Sequence, residues 1–175
     1  MLPAPHESHG ESSHLLVVHH SPTPSMDRLV EALLGGARHE DIEGVEVTVR
    51  PALEATAEDV LAADGYLLAT PANFGYMSGA LKHFFDSTFL AVGGALADDG
   101  SAGGSSGGTA GRPYGLLVHG RYDTAGAVRS VQSIVGALKW RQSTEVLEVL
   151  GEVGDEETAA AAELGATIAA LLSPV

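Results

Sequence analysis

From Tyr66 to Asp86 the chain reads YLLATPANFGYMSGALKHFFD, an apolar run, a turn-rich loop and a helical stripe in immediate succession. Tyr66-Leu67-Leu68-Ala69-Thr70 has the continuous apolar character of a strand buried on both faces, and Pro71, with no N–H to give to a ladder, closes it. Ser78 to Val92 then places Leu81, Phe84, Phe85 and Thr88 on one helical face. Such a strand-loop-helix unit is the building block of a parallel sheet, whose strands need helical crossovers.

The same unit recurs on either side. His14-Leu15-Leu16-Val17-Val18-His19 predicts a first strand that meets the turn-rich His20-Ser21-Pro22-Thr23-Pro24-Ser25. Met26, Leu29, Val30, Leu33 and Leu34 share one stripe of a helix expected to stop at Gly35-Gly36. Val45, Val47 and Val49 alternate with polar residues, as in a second strand near a sheet edge, and Thr56 with Asp59 opens a short helix through Ala63. Leu116 to His119 reads as a fourth strand, followed by a helix carrying Val128, Val131, Ile134, Val135 and Leu138 on one stripe. Val146 to Val149 supplies a fifth strand. A last helix starts near Asp155, with Leu164, Ile168 and Leu171 expected inward and three acidic residues at its positive N-terminal end.

Five strands alternating with five helices predict an α/β fold, a three-layer, doubly wound five-stranded parallel sheet, and the flavodoxin-like order 2-1-3-4-5 is one of its two common solutions. Residues 1–13 read as a frayed N-terminal tail and 14–175 as one domain, interrupted by a flexible Gly/Ser-rich loop at 93–111.

Composition narrows the function. No cysteine is present, so thiol chemistry and cysteine metal clusters are absent and any redox chemistry must come from a bound cofactor; this fits a cytoplasmic protein. The start of the chain has neither the basic nor the apolar region of a signal peptide, and no apolar run approaches membrane-spanning length. A net charge of −14 opposes collection of phosphate backbones, which argues against nucleic acid as a partner. That charge either solubilises the surface or steers a basic redox partner. The histidines form no metal signature, and the G-x-S-x-G of a serine hydrolase is missing.

In a doubly wound sheet ligands bind outside the carboxyl ends of the strands, so the loops after the first, third and fourth strands carry the expectation of function. The first lacks both glycine-rich phosphate motifs but offers Ser21, Thr23 and Ser25 ahead of a helix N-terminus, where amides attract a phosphomonoester. It reads equally as a proline-stiffened turn in which Ser25 caps the helix. The second, Thr70 to Gly79, spends Phe74 and Tyr76 of the chain's nine aromatics on a strand end, which suits a flat heteroaromatic ring or aromatics folded back on the domain. The third, His119-Gly120-Arg121-Tyr122-Asp123, combines a stacking ring with a cation that either meets an anionic group or pairs with Asp123.

Pro71-Ala72-Asn73-Phe74-Gly75-Tyr76-Met77-Ser78-Gly79-Ala80-Leu81-Lys82-His83-Phe84-Phe85-Asp86 resembles the corresponding stretch of the NADPH-dependent FMN reductase and flavodoxin-like quinone reductase families. Ser21 to Met26 is similar to the flavodoxin phosphate loop, and Gly120 with Tyr122 resembles the loop flanking the flavin ring. The resemblance implies FMN, with its phosphate on Ser21, Thr23, Ser25 and Met26. Its ring would lie against Pro71, Ala72, Asn73, Phe74 and Gly75 on one side and His119, Gly120, Arg121 and Tyr122 on the other. It further implies an oxidoreductase taking electrons from NAD(P)H and reducing a quinone, free flavin or similar acceptor; no side chain need act as acid or base. Two alternatives stand: a flavodoxin-type electron carrier docking a redox partner protein, or a domain that has lost FMN. Pro22 and Pro24 remove two backbone donors from the phosphate loop, and Met26 stands where the flavodoxin pattern has threonine. The resemblance also allows a homo-oligomer.

Overall fold

The computed structural model describes residues 12–101, 103 and 108–174. The expected tail therefore lies largely outside the described residues, and so does part of the 93–111 loop.

In chain order the elements are β1 (Ser13–His19), α1 (Pro24–Ala37), β2 (Val45–Pro51), α2 (Ala57–Ala62), β3 (Gly65–Asn73), β4 (Tyr76–Met77), α3 (Gly79–Thr88), β5 (Pro113–Gly120), α4 (Ala125–Ala137), β6 (Arg141–Gln142), β7 (Leu147–Leu150) and α5 (Asp155–Leu172). The parallel sheet runs β2-β1-β3-β5, and both β6 and β7 add to the far side of β5. This is the expected flavodoxin-like order with its fifth strand in two pieces. Pro113 pairs with Arg141, whereas Leu117 pairs with Leu147, so the edge strand carries two extra residues between its halves.

Alternation along the strands sends side chains to two cores. Leu16, Val18, Tyr66, Leu68, Leu116 and Val118 meet α2, α3 and α4 on one face. Leu15, Val17, Leu67, Ala69 and Leu117 meet α1 and α5 on the other. On the first face Trp140 stacks on Tyr66 with ring centroids 3.9 Å apart, and its Nε1 donates to Thr109 Oγ1 at 2.9 Å. Thr109 in turn donates to the carbonyl of Val92, four residues past the end of α3, which ties the end of the long loop to its start. Arg112 caps α2 from outside the helix, its Nη1 donating to the carbonyls of Val60, Leu61 and Ala63 at 3.0, 3.0 and 2.6 Å.

Three expectations are corrected. Helix α1 does not stop at Gly35-Gly36 but continues to Ala37, because Gly36 serves packing. A Cβ there would lie 1.8 Å from the Ala162 carbonyl oxygen, and one at Gly165 would lie 2.0 Å from that of Leu33; the two glycines let α1 and α5 touch backbone to backbone. Leu171 is 52% exposed, and Leu172 takes the inward place on the α5 stripe. Strand β3 does not close at Pro71 but runs on to Asn73. The Ala69 carbonyl accepts from His20 N on the β1 side, and Pro71, two residues on, points its backbone the same way, beyond the last residue of β1. The missing N–H thus falls where no strand remains to receive it.

Candidate functional site

The carboxyl ends of β1, β3 and β5 lie side by side, with His19 opposite Ala69 and Pro71 opposite His119. The loops they launch form one continuous rim.

After β1, Thr23 is the N-cap of α1, its Oγ1 accepting from Met26 N at 3.3 Å, and Pro24 occupies the first helical position. The cap is therefore Thr23, and Ser25 sits within the first turn. Met26 is fully buried in the core beneath α1. Its side chain faces away from the loop, and its amide is already taken by Thr23. Ser21 Oγ lies 2.8 Å from His19 Nδ1. Burial pushes the His19 imidazole below its usual pKa, against the pull of Asp27, which raises it. His19 is therefore neutral near pH 7, and the loop must attract an anion through amides and hydroxyls rather than through a cation.

After β3, Ala72 pairs with Met77 and Asn73 with Tyr76, closing a tight antiparallel hairpin. Its two central residues, Phe74 and Gly75, have φ of 51° and 74°, as a type I′ turn requires. The hairpin lifts the Phe74 ring clear of the protein, to full exposure, with Tyr76 at 45%. Phe74 is not folded back on the domain, whereas Tyr76 lies half-covered on the outer side of the hairpin, beside Lys82 and Arg129. The tip rests on the start of α4: a Cβ at Gly126 would lie 1.9 Å from the Gly75 carbonyl oxygen. Below the hairpin, Thr70 Oγ1 accepts from Ser78 N and donates to the Pro71 carbonyl, and Ser78 Oγ caps α3 through Leu81 N.

After β5, His119 Nε2 and the Gly151 carbonyl are 2.8 Å apart, while Gly151 N donates to the Gly120 carbonyl at 2.9 Å. His119 thus braces the rim against the end of β7. Gly120 is where the second and third loops touch, since a Cβ on it would meet Asp123 O, Thr124 Cγ2 and Ala72 Cβ at 2.8 to 3.2 Å. Arg121 lies over the ring of Tyr122 at 5.7 Å, and Tyr122 is 86% exposed. Asp123 does not take Arg121; its Oδ1 accepts from Ala125 N at the start of α4. Thr124 Oγ1 donates instead to Glu148 Oε2 of β7, a contact no spacing in the sequence announces.

Of the expected site residues, Ser21, Thr23 and Ser25 line the first loop, Ala72 to Gly75 form the hairpin, and Gly120 to Tyr122 form the facing loop. Met26 and His119 stand behind them as support. A phosphate-bearing heteroaromatic cofactor fits this arrangement. The rim opens at the N-terminus of a 14-residue helix, with hydroxyls in the loop (Ser21), at the cap (Thr23) and in the first turn (Ser25), and His20 Nδ1, at the head of the loop, is buried with no partner among the described residues. A ligand hydroxyl or phosphate oxygen would satisfy that atom.

A parallel sheet in this order, with a hydroxyl-lined helix N-terminus beside two aromatic loops, defines a flavodoxin-like α/β domain. Residues 19–149, most of the chain, match the family described as NADPH-dependent FMN reductase, and the chain belongs to that family. It is 40% identical over 72 residues to a flavodoxin of Aquifex aeolicus, covering 41% of this chain and 38% of that protein. An NAD(P)H dehydrogenase (quinone) of Acidithiobacillus ferrooxidans is 30% identical across 43% of this chain and 47% of its own length. The chain thus spans less than half the length of these curated relatives. Among solved structures, a flavodoxin from the domain Archaea superimposes with a TM-score of 0.73 at 15% identity, covering 92% of this chain and 99% of its own. That likeness concerns the fold alone.

Proposed function

We propose that this chain binds one FMN across the rim and works as an NAD(P)H-dependent oxidoreductase toward a quinone, free flavin or similar acceptor. The observation that carries the reading is the meeting of the second and third loops at Gly120 and Ala72, which sets exposed Phe74 and Tyr122 on loops that flank one rim. Bound there, FMN would supply the redox chemistry: hydride acceptance from NAD(P)H and two-electron reduction of the acceptor. The amides and hydroxyls of Ser21, Thr23 and Ser25 would hold its phosphate, and backbone groups of Ala72 to Gly75 and Gly120 would orient its ring. Exposed Phe74 and Tyr122 would exclude water from the bound ring. Membership in the reductase family supports the enzymatic reading. The absence of cysteine fits a cytoplasmic setting, and among the described residues no helix is long and apolar enough to cross a membrane.

A specific observation also favours an electron carrier. With a net charge of −14 the surface would steer a basic redox protein, and the Aquifex aeolicus relative is named a flavodoxin. The two readings separate on one experiment: FMN-loaded protein is mixed anaerobically with NADPH and then with a quinone. Repeated bleaching and recovery of the flavin supports the reductase. A flavin that NADPH leaves oxidised, yet which dithionite takes through a stable one-electron form, supports the carrier.

A further inference from the structure

A polyanionic donor approaching a chain of net charge −14 needs local positive charge, and the positions of the nine Lys and Arg residues leave few places for it. Arg112 is committed to the α2 carbonyls and Arg50 to Asp59. Arg38, Lys139 and Arg141 lie at the opposite end of the sheet, where α1 and α4 finish. Arg28, Lys82, Arg121 and Arg129 remain at the end where the strands finish.

Two of these four face one groove. Between α3 and α4, against the outer side of the β3–β4 hairpin, lies a hollow of about 420 Å³ lined by Tyr76, Lys82, Gly126, Arg129, Ser130 and Ser133. It continues past Lys82, Ser133 and Ile134 into a second hollow of about 410 Å³ walled by Phe85, Phe89 and Leu96. Arg129 is exposed and has no hydrogen-bond or ion-pair partner among the described residues. Lys82 Nζ lies 2.6 Å from Asp86 Oδ1, the carboxylate on this wall, so its charge is partly shared. Tyr76 and Ser133 offer hydroxyls, while that of Ser130 donates to the Ala127 carbonyl and can still accept. Gly126 joins the groove to the hairpin tip, which places Arg129 one turn of α4 from the loop proposed to carry the ring, with Lys82 facing it from α3.

We infer that the upper part of this groove holds the phosphates of the pyridine nucleotide donor, with Arg129 as the principal contact and Lys82 as its helper across the groove. This rests on the reductase reading. A nucleotide whose nicotinamide lies on the rim runs its phosphates over the hairpin edge and down between the helices. Apolar Phe85, Phe89 and Leu96 line the farther hollow, where a flat adenine fits.

The test compares the wild type with Arg129→Ala and Arg129→Lys, each with and without FMN. NADP⁺ binding is followed by calorimetry from low to high salt. The kcat/KM ratio of NADPH to 1-benzyl-1,4-dihydronicotinamide, a hydride donor without phosphates, is then measured. Arg129→Ala should weaken NADP⁺ binding and lower that ratio by about fivefold, the size of one partly exposed charge-assisted contact, with a shallower salt dependence. Arg129→Lys should keep most of both, because it keeps the charge. If NADP⁺ affinity and the ratio are unchanged in Arg129→Ala while NADPH still reduces the flavin, the groove assignment is wrong and the reductase reading survives. If FMN does not bind, that reading fails by itself, and the calorimetry without FMN still decides the groove.

Discussion

Gly126 and Gly136 lie in the same helix, yet substitution by alanine should move stability in opposite directions. In an isolated helix either change removes backbone freedom from the unfolded chain and gains up to about 1 kcal/mol. At Gly136 nothing lies within 4 Å of the added Cβ, so that gain, reduced by the closeness of the helix end, is expected outright. At Gly126 the Cβ would sit 1.9 Å from the Gly75 carbonyl oxygen, a backbone atom in a turn whose φ of 74° leaves little freedom. The tip must recede by about 1 Å or more, and overpacking of this kind costs about 1–3 kcal/mol. The two variants should therefore differ by about 2 kcal/mol or more in unfolding free energy. Urea titration followed by the single tryptophan, Trp140, stacked on Tyr66 and 6% exposed, reads this directly. Because the displaced tip is also the proposed wall of the ring site, FMN affinity should fall about tenfold in Gly126→Ala and hold in Gly136→Ala. A Gly126→Ala protein as stable as Gly136→Ala, with equal FMN affinity, would refute the claim that α4 positions the hairpin.

Other perturbations separate binding from folding. Phe74→Asn places a residue suited to φ of 51° in the turn and removes a ring that makes no buried contact. Stability should hold or rise in the denaturation curve, while FMN affinity drops. Arg112→Met takes the only donor from the Leu61 and Ala63 carbonyls at the end of α2, while that of Val60 keeps the Tyr66 hydroxyl; the change should cost about 1–3 kcal/mol by the same titration, without reaching the rim. Burial lowers the pKa of His19, so the unfolded chain binds the extra proton. Its contribution to stability is complete above the unfolded value near 6.5 and is lost as pH falls toward the folded one. The stability-versus-pH slope below about pH 6.5 should flatten in His19→Gln, read from denaturation midpoints at several pH values.

Most of the architecture could be read from the sequence because apolar runs of four to six residues and stripes at helical spacing coincide with the strands and helices. What escaped the reading depends on contacts distant in sequence. Gly35-Gly36 carries the composition of a helix stop, and only the approach of Ala162 shows that Gly36 is a packing residue. Pro71 carries the chemistry of a strand breaker, and only the end of β1 beside it makes it harmless. The hairpin was hidden because Phe74-Gly75 is not one of the Asn-Gly or Asp-Gly pairs that announce a type I′ turn. At the site, the loops and their exposed aromatics were legible from strand ends and residue types. The supports were not, since Thr124, the N-cap of α4, meets Glu148 of β7 across 24 residues of sequence, and His119 of β5 meets Gly151, just past β7, across 32.

The most direct test of the account is titration of the purified protein with FMN, following flavin absorbance and fluorescence. The account predicts saturation at one FMN per chain in the micromolar range or tighter, with the fluorescence changed as the ring enters between Phe74 and Tyr122. If the spectra at micromolar FMN remain those of the free flavin, Pro22 and Pro24 have removed donors the phosphate loop cannot spare, and the domain is not a flavoprotein.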